Sequence, residues 1–242
     1  MTEMAGFKPT PIEPTAMTLV AFDFDGTLSD SEMTVLLGER MGVADEMAEI
    51  TERAMNDELA YAESLRQRAR LLEGLSQADA EAAYGEVRLR PGAADLIEAL
   101  NEAGVHTAIL TGGFERGVER ALAREGVTVD SIVANRLPIE DSEVQRTSEA
   151  SGQCPRALTG EVEGALIEGT KDDALRRLAS AQGVAPGETI AVGDGANDLP
   201  MLRVAGLAVG FDPKPAVSPH CDEIVSAMSE LHQLLEERGV LG

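Results

Sequence analysis

The sequence predicts an α/β protein, a doubly wound parallel sheet with a helical insertion after its first strand. Short apolar runs recur along the 242 residues, each opening into a loop rich in Gly, Asp or Thr, the pattern of strands buried on both faces. Between them, helical periodicities close at Gly104, Gly126 and Gly183, as expected where a helix ends in a left-handed residue. From Ser31 to Leu89 the strands stop and only helical patterns remain. Strands alternating with helices build a parallel sheet covered on both sides, and such sheets bind ligands at the carboxyl ends of their strands.

Taken in order, residues 1–17 hold three prolines and no periodicity, and read as a flexible N-terminal tail. Met17, directly before the first apolar run, offers an alternative start. Strands are expected at 19–24, 106–110, 131–134, 189–192 and 206–209, with helices at 95–102, around Val118 and Leu122, and around Leu175 and Leu178. These place a catalytic core at 18–30 and 90–242. The insertion at 31–89 carries helical stripes through Met47, Ile50 and Ala54 and through Tyr61, Leu65, Ala69 and Leu72, with Ser76 and Asp79 marking a helix start. The irregular stretch 138–160 suggests an elongated hairpin or mobile loop.

Composition removes several function classes. With 20 basic against 43 acidic residues the net charge is −23, the wrong sign for a nucleic-acid surface. No apolar run reaches membrane-spanning length and no signal pattern opens the chain, so a cytoplasmic protein is expected. Cys154 and Cys221 are too few and too far apart for a disulfide scaffold or a thiolate metal site. Of the cations only Lys8, Lys171 and Lys214 are lysines. High acid with scarce lysine fits a salt-rich cytosol, where screening tames self-repulsion.

Four segments carry chemistry. Asp23 and Asp25 straddle Phe24 at the end of the first strand, and residues two apart on an extended segment face the same way. Such a pair can hold a hard cation, divide into nucleophile and acid/base, or be solvated loop acids. Gly193-Asp194-Gly195-Ala196-Asn197-Asp198 reads as an oxygen-rich Mg²⁺ site or as a glycine turn in which Asp198 caps a helix at 198–205. Thr111-Gly112-Gly113, after a strand and before a helix, reads as a phosphate cradle or an N-cap. Lys171 opens a helix, where a cation needs a compensating anion.

Together these four segments, in this order, resemble the haloacid dehalogenase superfamily of phosphohydrolases. The resemblance implies a Rossmann-like core with an inserted helical cap domain. It implies Asp23 as the nucleophile that becomes an aspartyl-phosphate, Asp25 as general acid/base, and Thr111 and Lys171 on the phosphoryl group. Mg²⁺ would be held by Asp23, the Asp25 carbonyl and Asp194, with Asp198 supporting.

The insertion carries the substrate reading. Tyr61, Leu65 and Arg68 share one helical face, and Arg68 either snorkels from the core or lines the cavity. Glu32, nine residues after Asp23, either meets a helix dipole or enters the same cavity. With Ala134-Asn135-Arg136-Leu137 and Glu161 to Gly164, these residues resemble the superfamily members that hydrolyse O-phosphoserine at the end of serine biosynthesis. By that resemblance Glu32 takes the substrate ammonium and Arg68 its carboxylate, with Tyr61, Gly112, Gly113 and Asn197 also at the substrate. The alternative is another small phosphomonoester, such as phosphoglycolate or a sugar phosphate. Partners are expected to end with that small molecule, and the chain to act as a monomer or homodimer.

Overall fold

The structure, a computed structural model, describes residues 19–55, 58–141, 156–168 and 170–242. The expected tail, Cys154 and much of the irregular stretch lie outside them. Strands β1 (Leu19–Phe22), β2 (His106–Phe114), β3 (Ser131–Arg136), β4 (Ile139–Asp141), β5 (Arg156–Leu158), β6 (Glu163–Gly164), β7 (Ile190–Gly193), β8 (Leu207–Phe211) and β9 (Glu223–Val225) form two sheets. Seven of them are ordered β6-β3-β2-β1-β7-β8-β9, and every pair is parallel except β3 with β6. β4 and β5 pair antiparallel, so the arms of the irregular stretch form the hairpin and the residues joining them are not among those described.

Alternation along β1 builds two cores. Val20 and Phe22 join the cluster beneath α5 (Ala93–Glu102), α6 (Glu115–Glu125) and α9 (Met228–Glu237), which bring in Leu96, Val118 and Leu231. Leu19 and Ala21 face the other cluster, with Leu175 of α7 (Lys171–Gln182) and Met201 of α8 (Leu199–Val204). On that second face Ala108, Ala21, Ala191 and Ala208 stand in register across β2, β1, β7 and β8, so α7 and α8 pack on a row of methyl groups.

The remaining helices are α1 (Met33–Met41), α2 (Ala44–Met55), α3 (Tyr61–Arg70) and α4 (Gln77–Tyr84). Ser76 caps α4 by accepting from the Asp79 N–H at 3.1 Å. Their buried side chains, Leu37, Met47, Leu65 and Ala80 among them, are continuous with the α5/α6 side of the sheet core, and Tyr84 meets Phe114 edge-on at 6.5 Å. The two connections to the sheet run side by side. Ser29 bridges to Leu89, its hydroxyl donates to the Arg88 carbonyl at 2.7 Å, and the Arg90 N–H donates to Leu28 O at 2.8 Å. β5 ties the hairpin to the turn between α3 and α4 through Gly74 N–H to Leu158 O and Leu158 N–H to Leu75 O, both 2.9 Å.

Two boundaries differ from expectation for physical reasons. β1 stops at Phe22, so Asp23 and Asp25 sit in the turn beyond it and strand alternation does not orient them. β2 does not end before Thr111: it continues to Phe114 with a shifted register, and α6 starts at Glu115. Thr111-Gly112-Gly113 is a strand bulge, not a helix N-terminus.

Candidate active site

The carboxyl ends of β1 and β7 and the start of α7 meet at one buried ammonium. Asp23 follows β1 and donates its N–H to Val192 O at 2.8 Å. Lys171, first residue of α7, places Nζ 2.6 Å from Asp23 Oδ1 and 2.5 Å from Asp198 Oδ1, all three side chains buried. Asp198 Oδ2 accepts from the Asp194 and Gly195 N–H groups at 3.0 and 2.9 Å. Of the two readings of this loop, the one in which Asp198 caps the following helix is not realised. Asp198 makes no cap bond to α8, because both of its oxygens are engaged by Lys171 and by the loop before it.

Carboxylate oxygens of Asp23, Asp194 and Asp198 lie within 4.8 Å of one another. Gly26, at φ +88°, lets the first loop press on this cluster: a Cβ there would fall 2.8 Å from the Asp194 carboxylate. Burial, then the Asp198 charge, pushes the Asp23 carboxyl up to about 7 despite Lys171. Burial also raises Asp194, against the nearby Lys214. Lys171 feels the reverse: burial would lower it, but Asp198 and Asp23 outweigh that and raise it. An all-oxygen donor set with excess negative charge is the chemistry of a hard divalent cation site.

Asp25 turns away from this cluster. Its Oδ2 lies where a Cβ on Gly113 would come within 2.7 Å, and its Oδ1 is sealed from solvent without a partner. Burial, then Glu32 and Asp23, lifts its carboxyl well above the usual range. Beside it, the buried Thr111 hydroxyl accepts from the Gly113 N–H at 2.9 Å, leaving its own proton free to donate. The Tyr61 hydroxyl covers Gly112 so closely that a Cβ there would lie 1.9 Å away, while 39% of the residue stays exposed at the other end.

Arg68 is lowered by burial and raised by Tyr61, Glu32 and Asp25. Among the described residues no carboxylate is in ion-pair contact with it. Its one hydrogen bond among the described residues is a long one to Ser64 O at 3.4 Å. Glu32 occupies the N-cap position of α1 and makes no side-chain cap bond. The structure thus brings Asp23, Asp194, Asp198 and Lys171 into one cluster, and Asp25, Thr111, Gly112, Gly113, Tyr61, Glu32 and Arg68 around the space beside it. Asn197 is the exception: it is exposed and only its amide oxygen approaches Gly195.

Sequence reasoning missed two neighbours. Lys214 sits 3.4 Å from Asp194 Oδ2 and donates its N–H to Asp194 O at 2.9 Å; its proline-flanked loop looked remote from the site. Arg90 donates to the Gly26 carbonyl at 3.1 Å and stacks over Phe211 at 5.1 Å, a link no local pattern marks.

A buried carboxylate against a buried lysine, at the carboxyl ends of parallel strands, is an arrangement that comparison with known proteins places. The family model described as haloacid dehalogenase-like hydrolase matches residues 20–203. The chain belongs to the haloacid dehalogenase-like hydrolases. It is 53% identical over 224 residues to a Halobacterium salinarum protein named phosphoserine phosphatase, covering 93% of this chain and all of that one. A Lactococcus lactis protein of the same name is 38% identical over 203 residues, 84% of this chain and 87% of the relative. Among solved structures, one titled as a phospho-aspartyl intermediate analogue of phosphoserine phosphatase superposes with a TM-score of 0.78 at 32% identity, covering 91% of this chain and 99% of that one. A substrate-bound phosphoserine phosphatase gives the same TM-score at 31% identity, covering 92% and 99%.

Proposed function

We propose that this hydrolase is a Mg²⁺-dependent phosphoserine phosphatase of the cytoplasm, completing serine biosynthesis. The observation that carries the substrate is Arg68, a half-buried guanidinium with no carboxylate in ion-pair contact among the described residues, facing the same space as Glu32. A buried unpaired charge is costly unless a ligand completes it. A substrate with carboxylate and ammonium on one carbon satisfies Arg68 and Glu32 at once, which a sugar phosphate does not.

In this reading Asp23 attacks phosphorus, and the bond from phosphorus to the seryl oxygen breaks as the Asp25 carboxyl gives that oxygen its proton. Burial, then Glu32 and Asp23, raise the Asp25 carboxyl, the direction that favours a proton donor. Water then attacks the aspartyl-phosphate, Asp25 takes the water's proton, and phosphate leaves with Asp23 restored. Lys171 and the Thr111 hydroxyl oppose charge on the phosphoryl oxygens. Asp23, Asp194 and the Asp25 carbonyl would hold Mg²⁺, with Asp198 orienting the loop; the bound ion supplies further charge against the phosphoryl oxygens.

Phosphate release from O-phosphoserine, p-nitrophenyl phosphate and phosphoglycolate tests this. The wild type with Mg²⁺ should favour phosphoserine, and Asp23→Asn should lose about 10³-fold or more. Arg68→Ala should lose about 30-fold or more on phosphoserine and far less on p-nitrophenyl phosphate. Equal losses on both esters would refute the zwitterion reading while leaving the phosphatase chemistry intact.

A further inference from the structure

The β2 bulge is held from behind by Asn135 of β3. Leu110 pairs with Val133 and Phe114 with Asn135, so three β2 residues stand opposite Ala134 alone. Gly112 therefore leaves the ladder, and its carbonyl accepts instead from Asn135 Nδ2 at 3.0 Å. Asn135 is fully buried, and its Oδ1 has no hydrogen-bond partner among the described residues. That oxygen is wedged against β6, where a Cβ on Gly164 would come within 2.3 Å. A buried unpaired amide oxygen is costly, and reversing the amide would set two carbonyl oxygens against each other. One bond, to Gly112, accounts for an amide here.

That bond reaches the reaction centre through a single peptide unit. The carbonyl of Gly112 and the N–H of Gly113 share one plane, and the Gly113 N–H donates to Thr111 Oγ1. Fixing the carbonyl fixes the N–H, which occupies an acceptor site on the hydroxyl oxygen and leaves the O–H to point elsewhere. We propose that Asn135 is a positioning residue for phosphoryl transfer, acting through the Gly112–Gly113 peptide to aim the Thr111 hydroxyl at the phosphoryl group. This rests on the reading of Thr111 as a phosphoryl ligand.

A double-mutant cycle over Asn135→Leu and Thr111→Val tests it, with Asn135→Ser as a smaller second probe. Turnover is measured on O-phosphoserine and on p-nitrophenyl phosphate, alongside thermal melting. The single Asn135 variants should lose about tenfold or more in kcat on both esters, with KM changed much less. In the Thr111→Val background the same replacements should cost under about threefold, since residues acting as one unit are not additive. A role in stability alone predicts equal losses in both backgrounds, and that result, or wild-type kcat in a folded Asn135 variant, overturns the proposal. Failure of the substrate reading shows separately, as wild-type enzyme that turns over p-nitrophenyl phosphate but not phosphoserine.

Discussion

Lys171 links three parts of the chain that are far apart in sequence. A lone ammonium moved into a protein interior costs several kcal/mol, and here two carboxylates, Asp23 and Asp198, offset that cost at hydrogen-bond distance. Asp25 is the residue whose demands conflict. Its carboxyl binds a proton more tightly in the folded protein than at the usual 3.8, through burial and then Glu32 and Asp23. The native state therefore binds more protons than the unfolded chain above that value, so Asp25 lowers stability as pH rises. Asp25→Asn, in the absence of divalent cations, should melt higher than wild type at pH 8, with the difference shrinking toward pH 4, while activity is lost. Matching melting curves at pH 8 would contradict this. Asp23, Asp25, Lys171 and Asp194 were readable because each stands just past a strand end or at a helix start that the sequence itself marks, and Thr111 because it opens the Thr-Gly-Gly that follows an apolar run. Lys214 was not, since its approach to Asp194 depends on how β8 lies beside β7.

At the scale of elements, the apolar runs gave away β1, β2, β7 and β8 because a strand buried on both faces has no polar side to blur it. The β2 bulge left no such trace: a bulge is a relation between two strands, and Val133 to Asn135 carry its other half. The hairpin of β4 and β5 was visible only as irregularity. Its placement follows from β5 bonding to Gly74 and Leu75 and from Gly160, whose φ of +77° sets a Cβ 2.8 Å from Glu73 Cβ. Gly160→Val should therefore cost about 1–3 kcal/mol of stability in urea unfolding and expose the turn between α3 and α4 to proteolysis. Unaltered stability would mean that the hairpin rests on the insertion without holding it.

Over the whole molecule, the charge of −23 is only locally relieved. Arg116 and Arg120 both reach Glu81, which joins α6 to α4, and Arg136 reaches Glu115. The excess acid remains spread over the surface, where repulsion is screened as the Debye length falls from about 10 Å at 0.1 M salt to about 3 Å at 1 M. The melting temperature should rise as KCl is raised over that range, and a flat response would count against adaptation to salt. The row of Ala108, Ala21, Ala191 and Ala208 sets a different global constraint. It is a spacer one methyl thick between the sheet that leads into Asp23 and the helix that begins with Lys171. A longer side chain under α7, such as Ala108→Leu on β2, would lift α7 and draw the ammonium off Asp23, so turnover should fall further than the melting temperature alone explains. Side-chain size on a face remote from solvent thus acts as the gauge of a catalytic distance.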